Sequence, residues 1–144
     1  MNKRILILVA VVSAFLAHAA EYNVSSDDID DFTNKVANAQ SGDKFILAAG
    51  EYKIPKTLQL LDLSSVTFSG AGAESTVICP AASCRLVLVS NCTDVVFSGI
   101  AFRKGSGVSE AVALGTANVG GGASLRKSSR ISFQNCAFLT NSVT

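Results

Sequence analysis

The fold is decided by one short stretch of sequence, Ser41-Gly42-Asp43-Lys44-Phe45-Ile46-Leu47-Ala48-Ala49-Gly50-Glu51-Tyr52. Gly42 and Asp43 are typical of turns, and the apolar run from Phe45 to Leu47 predicts a brief buried strand. The Ala49-Gly50 pair predicts another turn, after which a second strand begins. The stretch therefore predicts turn, strand, turn and strand, and the remainder of the chain repeats this pattern.

The first twenty residues have the composition of an export signal. A basic segment, Asn2-Lys3-Arg4, precedes an almost unbroken apolar run over residues 5–16, and Ala17-His18-Ala19 supplies small residues for cleavage. The apolar run is shorter than the roughly 20 residues that a membrane-spanning helix needs. We therefore predict a signal peptide over residues 1–20 and a secreted or cell-surface domain over residues 21–144. An uncleaved N-terminal anchor is the alternative.

The charge of the chain argues against a nucleic-acid partner. It has 12 basic and 11 acidic residues, and Lys3 and Arg4 lie in the predicted signal peptide, so the mature chain is nearly neutral. Basic residues are concentrated in the second half of the chain. Two adjacent pairs, Arg103-Lys104 and Arg126-Lys127, follow predicted strands and are candidates for contact with an anionic glycan. Solvated turn residues are the alternative interpretation.

Four cysteines remain in the mature chain, and an even number in an exported protein is compatible with disulfides. Cys79 and Cys84 enclose a compact loop, which makes them the first predicted pair. Cys92 and Cys136 then form a second pair or remain as two buried thiols. A zinc site is not expected, because the single histidine, His18, lies in the predicted signal peptide.

Residues 26–40 have the pattern of one amphipathic helix. Ser25 or Ser26 is the predicted N-cap, and the aspartates that follow suit the positive end of the helix dipole. Four apolar residues recur at helical spacing and predict one buried face: Ile29, Phe32, Val36 and Ala39. The helix is expected to end before Ser41-Gly42.

Beyond this helix the chain consists of short apolar runs separated by turns. We predict strands at Phe45-Leu47, Glu51-Ile54, Thr57-Leu61, Val66-Phe68, Thr76-Ile78, Arg85-Val89, Val95-Phe97, Ile100-Phe102, Ala123-Leu125, Ile131-Phe133 and Ala137-Leu139. Strands this short favour a stacked solenoid over a sandwich, whose strands show longer alternation. The glycine-rich residues 103–122 are predicted to form a long loop at one corner.

An internal repeat supports the solenoid. Residues 64–70, 93–99 and 129–135 align without gaps and place Phe68, Phe97 and Phe133 at equivalent positions. We therefore predict that each strand pairs in parallel with its equivalent one coil away, with these phenylalanines stacked inward.

The segments quoted above resemble the start of a right-handed parallel β-helix of the pectin-lyase-like superfamily. The likeness covers most of residues 26–141 and lies in the predicted helix followed by residues 42–52, in residues 66–78 and in residues 91–102. It implies an all-β solenoid with a short N-terminal capping α-helix. Because members of this family usually have more coils, the resemblance also implies a truncated chain. Its uncapped last coil is then available for end-to-end stacking.

A second resemblance lies near the end of the chain. Gly120-Gly121-Gly122-Ala123 and Phe138-Leu139-Thr140-Asn141 resemble the Gly-Gly-Ala and Phe-x-x-Asn repeats of polymorphic outer-membrane proteins, which are surface adhesins. For both motifs we expect structural roles, since glycine permits tight turns and an inward asparagine can bond backbone at a corner.

The family resemblance implies a function that concerns polysaccharide. Lyases of this family use acidic calcium ligands and a basic residue, but the later acids here are isolated in sequence: Asp62, Glu74, Asp94 and Glu110. We therefore assign no catalytic residue, cofactor or metal ligand, and expect calcium only if the full-length protein is a lyase. The prediction is a secreted domain that binds or acts on polysaccharide as part of a longer protein. The alternatives are a non-catalytic surface adhesin and a structural fragment without activity of its own.

Two segments match the acceptor pattern for N-glycosylation. They are Asn23-Val24-Ser25 and Asn91-Cys92-Thr93. They matter only if the source of the protein is eukaryotic.

Overall fold

The chain is mostly β-strand, with one helix, in a computed structural model that describes residues 19–112 and 115–143. The helix α1 is Ile29–Ala37. The strands are β1 Glu21–Val24, β2 Lys44–Leu47, β3 Gly50–Ile54, β4 Leu58–Leu61, β5 Thr67–Ser69, β6 Thr76–Pro80, β7 Val87–Ser90, β8 Thr93–Ser98, β9 Ala101–Arg103, β10 Val108–Val112, β11 Gly115–Val119, β12 Ala123–Arg126, β13 Ser129–Gln134 and β14 Ala137–Leu139. Residues 1–18 of the predicted signal peptide lie outside the described residues.

Three parallel sheets contain all of these strands except β10 and β11. Sheet I has the order β1-β2-β5-β8-β13, sheet II has β3-β6-β9-β14, and sheet III has β4-β7-β12. From β2 onward the chain visits sheets I, II and III in turn and then returns to sheet I. Each sheet therefore grows by one strand at every passage of the chain, and all three face one apolar core.

The eleven predicted strands all coincide with observed strands, and their ends differ by at most two residues. Two features were missed. Strand β1, ahead of α1, pairs in parallel with β2. The predicted loop over residues 103–122 contains the antiparallel hairpin β10–β11, so that part of the prediction was wrong. The small and glycine-rich residues around it conceal the alternation that marks a strand.

The helix α1 is shorter than the predicted span of residues 26–40. Its N-cap is Asp28, whose carboxylate accepts a hydrogen bond of 2.9 Å from the backbone N–H of Asp31. The predicted cap at Ser25 or Ser26 was wrong, because Ser25 Oγ instead accepts from the backbone N–H of Asp27, outside the helix. The later start leaves Phe32 and Val36 on the buried face, as predicted.

A ladder of phenylalanine rings runs through the core along sheet I. Phe68, Phe97 and Phe133 occupy equivalent positions in β5, β8 and β13, which confirms the predicted register. Phe45 in β2 extends the ladder by one position. Successive rings are stacked, with centroid separations of 4.6, 4.9 and 5.0 Å. In sheet II, Phe102 stacks on Phe138 in the same way at 5.0 Å.

The corner from sheet III to sheet I has a constant length. Each inward residue of sheet III lies eight positions before the next ladder phenylalanine: Leu60 before Phe68, Val89 before Phe97, and Leu125 before Phe133. At this corner each passage has two residues with positive φ: Asp62 and Ser65, Asn91 and Asp94, and Lys127 and Arg130. The corner from sheet II to sheet III varies in length and contains the hairpin β10–β11.

One end of the stack of strands, which we call the closed end, is covered by α1 and β1. The Phe32 ring lies edge-on against Tyr52, with centroids 5.1 Å apart, and both side chains are fully buried. The buried carboxylate of Asp43 accepts hydrogen bonds from the backbone N–H groups of Ala20 and Gln40. This carboxylate therefore ties the residues before β1 and after α1 to the stretch that decides the fold.

The other end, which we call the open end, is formed by β12, β13 and β14. Each of these strands pairs on one side only within residues 19–112 and 115–143. Phe138 is 45 % exposed and Leu125 is 48 % exposed, whereas their register partners one strand deeper, Phe102 and Val89, are 0 % exposed. Among the described residues, none covers the core at this end.

All four cysteines are free thiols in the structure, so the predicted Cys79–Cys84 pairing is wrong, and for Cys92 and Cys136 the alternative of two unpaired thiols holds. Cys79 lies beside Glu51 on the outer face of sheet II, whereas Cys84 packs against the core, so the two side chains diverge. Cys92 immediately precedes sheet I and Cys136 follows it. A six-residue strand of about 20 Å therefore separates them, whereas a disulfide requires Cα atoms within about 7 Å.

Candidate functional site

The predicted pair Arg103 and Lys104 lines a cleft of about 150 Å³ on the outer face of sheet II, together with Glu51, Val77 and Cys79. Arg103 ends β9, and the pairing of β6 with β9 brings it alongside Cys79. The inward residues of the same strands fill the core. The strand periodicity of two therefore turns the intervening residues outward as one row.

A third cation lies beside this cleft. Lys53 is the register partner of Cys79, and it is exposed on the same outer row as Arg103. The positive charges of Lys53 and Lys104 both act to lower the pKa of the Cys79 thiol, which shows that they lie near it. We call Glu51, Lys53, Cys79, Arg103 and Lys104 the basic cleft. It combines three cations with one carboxylate.

The thiol in the basic cleft is not a reactive one. Cys79 Sγ donates a hydrogen bond of 3.1 Å to Glu51 Oε1. Burial and then this contact with Glu51 raise the pKa of the Cys79 thiol to about 11. The thiol therefore remains protonated at neutral pH, and a protonated thiol is neither a nucleophile nor a metal ligand. Its hydrogen bond holds the Glu51 carboxylate at the edge of the cleft.

The guanidinium of Arg103 has unused hydrogen-bonding capacity. Its Nε is buried and has no hydrogen-bond partner among the described residues. A buried donor without an acceptor costs about 1–3 kcal/mol. Acceptor oxygens are the groups that complete the hydrogen bonding of a guanidinium. Carboxylates suit it best, since they match the planar donor fork of arginine.

The second predicted pair, Arg126 and Lys127, lies elsewhere. These residues end β12 and begin the corner from sheet III to sheet I, so the structure does not bring them together with Arg103 and Lys104. At the same corner Arg130 forms a two-point ion pair with Asp94, with distances of 2.5 and 2.8 Å. The hydrogen bonds from Arg130 lower the pKa of Asp94. At this corner the charges of Arg130 and Asp94 therefore neutralise each other.

The two motifs near the end of the chain interlock, and the predicted bonding of backbone by the asparagine is confirmed. Asn141 accepts from the backbone N–H of Gly105 at 2.8 Å and donates to the carbonyl of Phe102 at 2.9 Å. A Cβ at Gly122 would lie 2.8 Å from Asn141 Nδ2 and 2.9 Å from Phe138 Cδ1. Glycine is therefore required at position 122 because the asparagine and phenylalanine of the other motif occupy this space.

A second cavity, of about 260 Å³, lies between α1 and the edge strand β4. Its lining is mainly apolar and includes Val36, Leu58 and Leu61. The cavity is part of the closed end and contains no cluster of titratable groups. Over residues 19–112 and 115–143, no three or more Cys, Asp, Glu or His side chains form a group that could hold a metal ion. In the same ranges no helix has the length and apolarity needed to span a membrane.

The sequence alone does not show that Glu51 and Lys53 belong to the basic cleft. Glu51 and Lys53 precede Arg103 by about fifty positions, and only the strand register brings them together. One signal was present in the sequence. If the inward residues Tyr52, Ile78 and Phe102 are aligned, then Lys53, Cys79 and Arg103 fall on one outward row.

Comparison of the chain with models of protein families, with curated proteins and with solved structures gave no match. The geometry of the cleft and the fold are therefore the basis for assigning a function.

Proposed function

We propose that the three parallel sheets form a right-handed parallel β-helix with α1 as its N-terminal cap. The regular passage of the chain through sheets I, II and III supports this architecture, as do the stacked phenylalanines of equivalent strands. The right-handed sense follows from the strong preference of connections between parallel strands for that hand. Three passages and the start of a fourth lie within the described residues.

We propose further that this domain is exported and binds acidic polysaccharide at the basic cleft. The observation that carries the proposal is the grouping of Lys53, Arg103 and Lys104 beside Glu51 on an outward sheet face. The cations attract a sugar carboxylate, and the carboxylate of Glu51 can accept hydrogen bonds from sugar hydroxyls. A uronate carries both a carboxylate and hydroxyl groups. This combination of cations and a carboxylate therefore suits a uronate better than it suits a uniform polyanion.

Binding is a better proposal than catalysis for this cleft. A general base must have a pKa suited to accepting a proton near neutral pH. The Cys79 thiol, whose pKa is raised to about 11, is held in its protonated form and does not supply such a base. The proposed role of the cleft is therefore to hold the polymer at the surface of the domain.

The test is a calorimetric titration of the full chain with short oligomers of polygalacturonate. The variant Arg103→Ala/Lys104→Ala should bind at least about tenfold more weakly, since it removes two charge-assisted contacts. The matched control is Arg126→Ala/Lys127→Ala, which removes the same charge from another corner and should change affinity less than about twofold. A neutral galactan oligomer should not bind.

Two results would overturn the proposal. One is the absence of any binding of polygalacturonate by the folded chain. The other is an equal loss of affinity in both double variants, which would indicate a diffuse effect of net charge. Raising the salt concentration should weaken binding to the cleft, because the contacts are ionic.

A second candidate function, non-catalytic adhesion at a cell surface, is favoured by the interlocked motifs at Gly122 and Asn141. We propose it as the alternative because the adhesins that these motifs resemble present a β-helix as a binding scaffold. Binding of the chain to cells from which acidic glycans have been removed, undiminished in Arg103→Ala/Lys104→Ala, would support adhesion over the cleft.

A further inference from the structure

The two sides of the basic cleft carry different charge. Arg103 and Lys104, at the end of β9, place two cations on one side, which we call the β9 side. Glu51 and Lys53, both in β3, place one anion and one cation on the other, which we call the β3 side. Among the residues that the structure describes, Glu51 is the only acid that lines the cleft. The charge is therefore strongly positive on the β9 side and cancels on the β3 side.

A strand with little charge separates the two sides. Strand β6 pairs with β3 on one edge and with β9 on the other, so β3 and β9 are about 10 Å apart. Between them the cleft is lined by Val77 and Cys79 of β6. Cys79 is 4 % exposed, and its thiol donates to Glu51. A ligand that contacts both sides must therefore cross this strand.

The β9 side suits a carboxylate. Arg103 and Lys104 are adjacent in the chain and both line the cleft, and charge-assisted hydrogen bonds from such cations to a carboxylate are strong. No acid lies beside them in the cleft lining that the structure describes, so nothing there opposes an anionic sugar.

The β3 side suits hydroxyl groups better than a second carboxylate. Glu51 and Lys53 are two positions apart on one strand and both are exposed, so an anion that approaches Lys53 also approaches the Glu51 carboxylate. The attraction and the repulsion oppose each other. A neutral sugar does not meet this repulsion, and its hydroxyls can donate to the carboxylate oxygens of Glu51.

We propose that the basic cleft prefers a glycan in which a uronate is next to a neutral sugar over a run of consecutive uronates. This inference rests on the proposed binding of acidic polysaccharide. The uronate contacts Arg103 and Lys104, and the neutral sugar contacts the β3 side. Glu51 is the residue that determines the preference, because its charge cancels that of Lys53.

The test is a calorimetric titration of the full chain with two oligomers of equal length. One is tetragalacturonate, in which every sugar is acidic, and the other is a hyaluronan tetrasaccharide, in which glucuronate alternates with a neutral N-acetylated sugar. The alternating oligomer should bind at least about threefold more tightly, although it carries half as many charges. Attraction by net charge alone predicts the opposite order.

Two substitutions on the β3 side should change this preference in opposite directions. Glu51→Gln leaves Lys53 uncompensated and keeps an oxygen that can accept from the Cys79 thiol. It should raise the affinity for tetragalacturonate relative to the alternating oligomer at least about threefold. Lys53→Gln leaves Glu51 uncompensated and should lower the same ratio. The matched control is Glu21→Gln, which removes one exposed carboxylate from β1 in sheet I and should leave the ratio unchanged.

The outcomes separate this inference from the proposed function. Opposite changes of the ratio in Glu51→Gln and Lys53→Gln support it. A wild-type preference for tetragalacturonate, or a ratio that Glu51→Gln does not change more than Glu21→Gln, would overturn it. In those cases a loss of binding in Arg103→Ala/Lys104→Ala would still support the proposed function. If the folded chain bound neither oligomer, both proposals would be wrong.

Discussion

The two ends of the molecule place the same kinds of side chain in opposite surroundings. Phe32 at the closed end is 0 % exposed, whereas Phe138 at the open end is 45 % exposed, although both lie over the same core. The difference is that α1 and β1 cover the core at the closed end. It shows that in a stack of very short strands each layer is buried only by the next one, so an end needs a separate element to complete it.

The largest expected effect comes from truncating one phenylalanine at each end. Phe32→Ala should lower the free energy of unfolding by about 3–5 kcal/mol, because it empties a fully buried site against Tyr52. Phe138→Ala should cost about 1 kcal/mol, since nearly half of the ring already contacts solvent. Urea denaturation at low protein concentration measures both values. Equal losses in the two variants would contradict the contrast between the ends.

Two cysteines allow the open end to be compared with the interior of the stack by chemical reactivity. Cys92 and Cys136 each lie at a corner, with Sγ within 3.3–3.4 Å of two backbone carbonyls, but Cys92 is buried whereas Cys136 is partly exposed. Iodoacetamide at pH 8 should modify Cys136 on the order of a hundred times faster, because Cys92 reacts only after local opening. Peptide mapping by mass spectrometry gives both rates in one sample, and similar rates would refute the difference in cover.

The closed end can be weakened without touching its apolar contacts. Asp43→Ala removes the acceptor of the N–H groups of Ala20 and Gln40 and should cost about 2 kcal/mol. Asp30→Ala, at an exposed position on α1, should cost less than about 0.5 kcal/mol. Thermal unfolding of both variants measures the difference. If Asp43→Ala were as stable as Asp30→Ala, the carboxylate would not be what holds the residues next to β1 and α1.

The last prediction concerns Cys79, which lies in β6 between the two ends of the stack. The pKa of Cys79, ordinarily near 9, is raised to about 11 in the folded chain, mainly by burial. Its contribution to stability is therefore present below pH 9 and is lost as the pH rises toward 11. The stability of the wild type relative to Cys79→Ser should fall over this interval, as measured by urea denaturation at several pH values. A constant difference between the two proteins would contradict the raised pKa.

The sequence predicts much of the fold because its regularities are local or repeated. Phe68, Phe97 and Phe133 share flanking polar residues, so their register could be found by alignment. Phe45 belongs to the same ladder but was missed, because Asp43 and Lys44 before it do not match those flanks. Strand β1 was missed for a related reason, since its few residues directly follow the apolar leader.

The candidate site was less predictable because it depends on register at long range. Arg103 and Lys104 are conspicuous as an adjacent pair, but so are Arg126 and Lys127, and the sequence alone does not separate them. Only the structure adds Glu51 and Lys53 to the first pair. The predicted Cys79–Cys84 pairing failed in the same way, because closeness in sequence does not show on which face of a sheet a side chain lies.

The unequal corners have a consequence for how such a chain can diverge. Across the corner from sheet III to sheet I the offset between inward residues is fixed at eight positions, and the corner uses paired positive φ angles, so an insertion there would displace the next ladder phenylalanine. The corner from sheet II to sheet III already tolerates an added hairpin. Each doubling of a flexible loop costs only about 0.6 kcal/mol in closure entropy. New sequence, whether acquired in evolution or grafted by design, should therefore be accepted at that corner, beside Lys104 and the basic cleft.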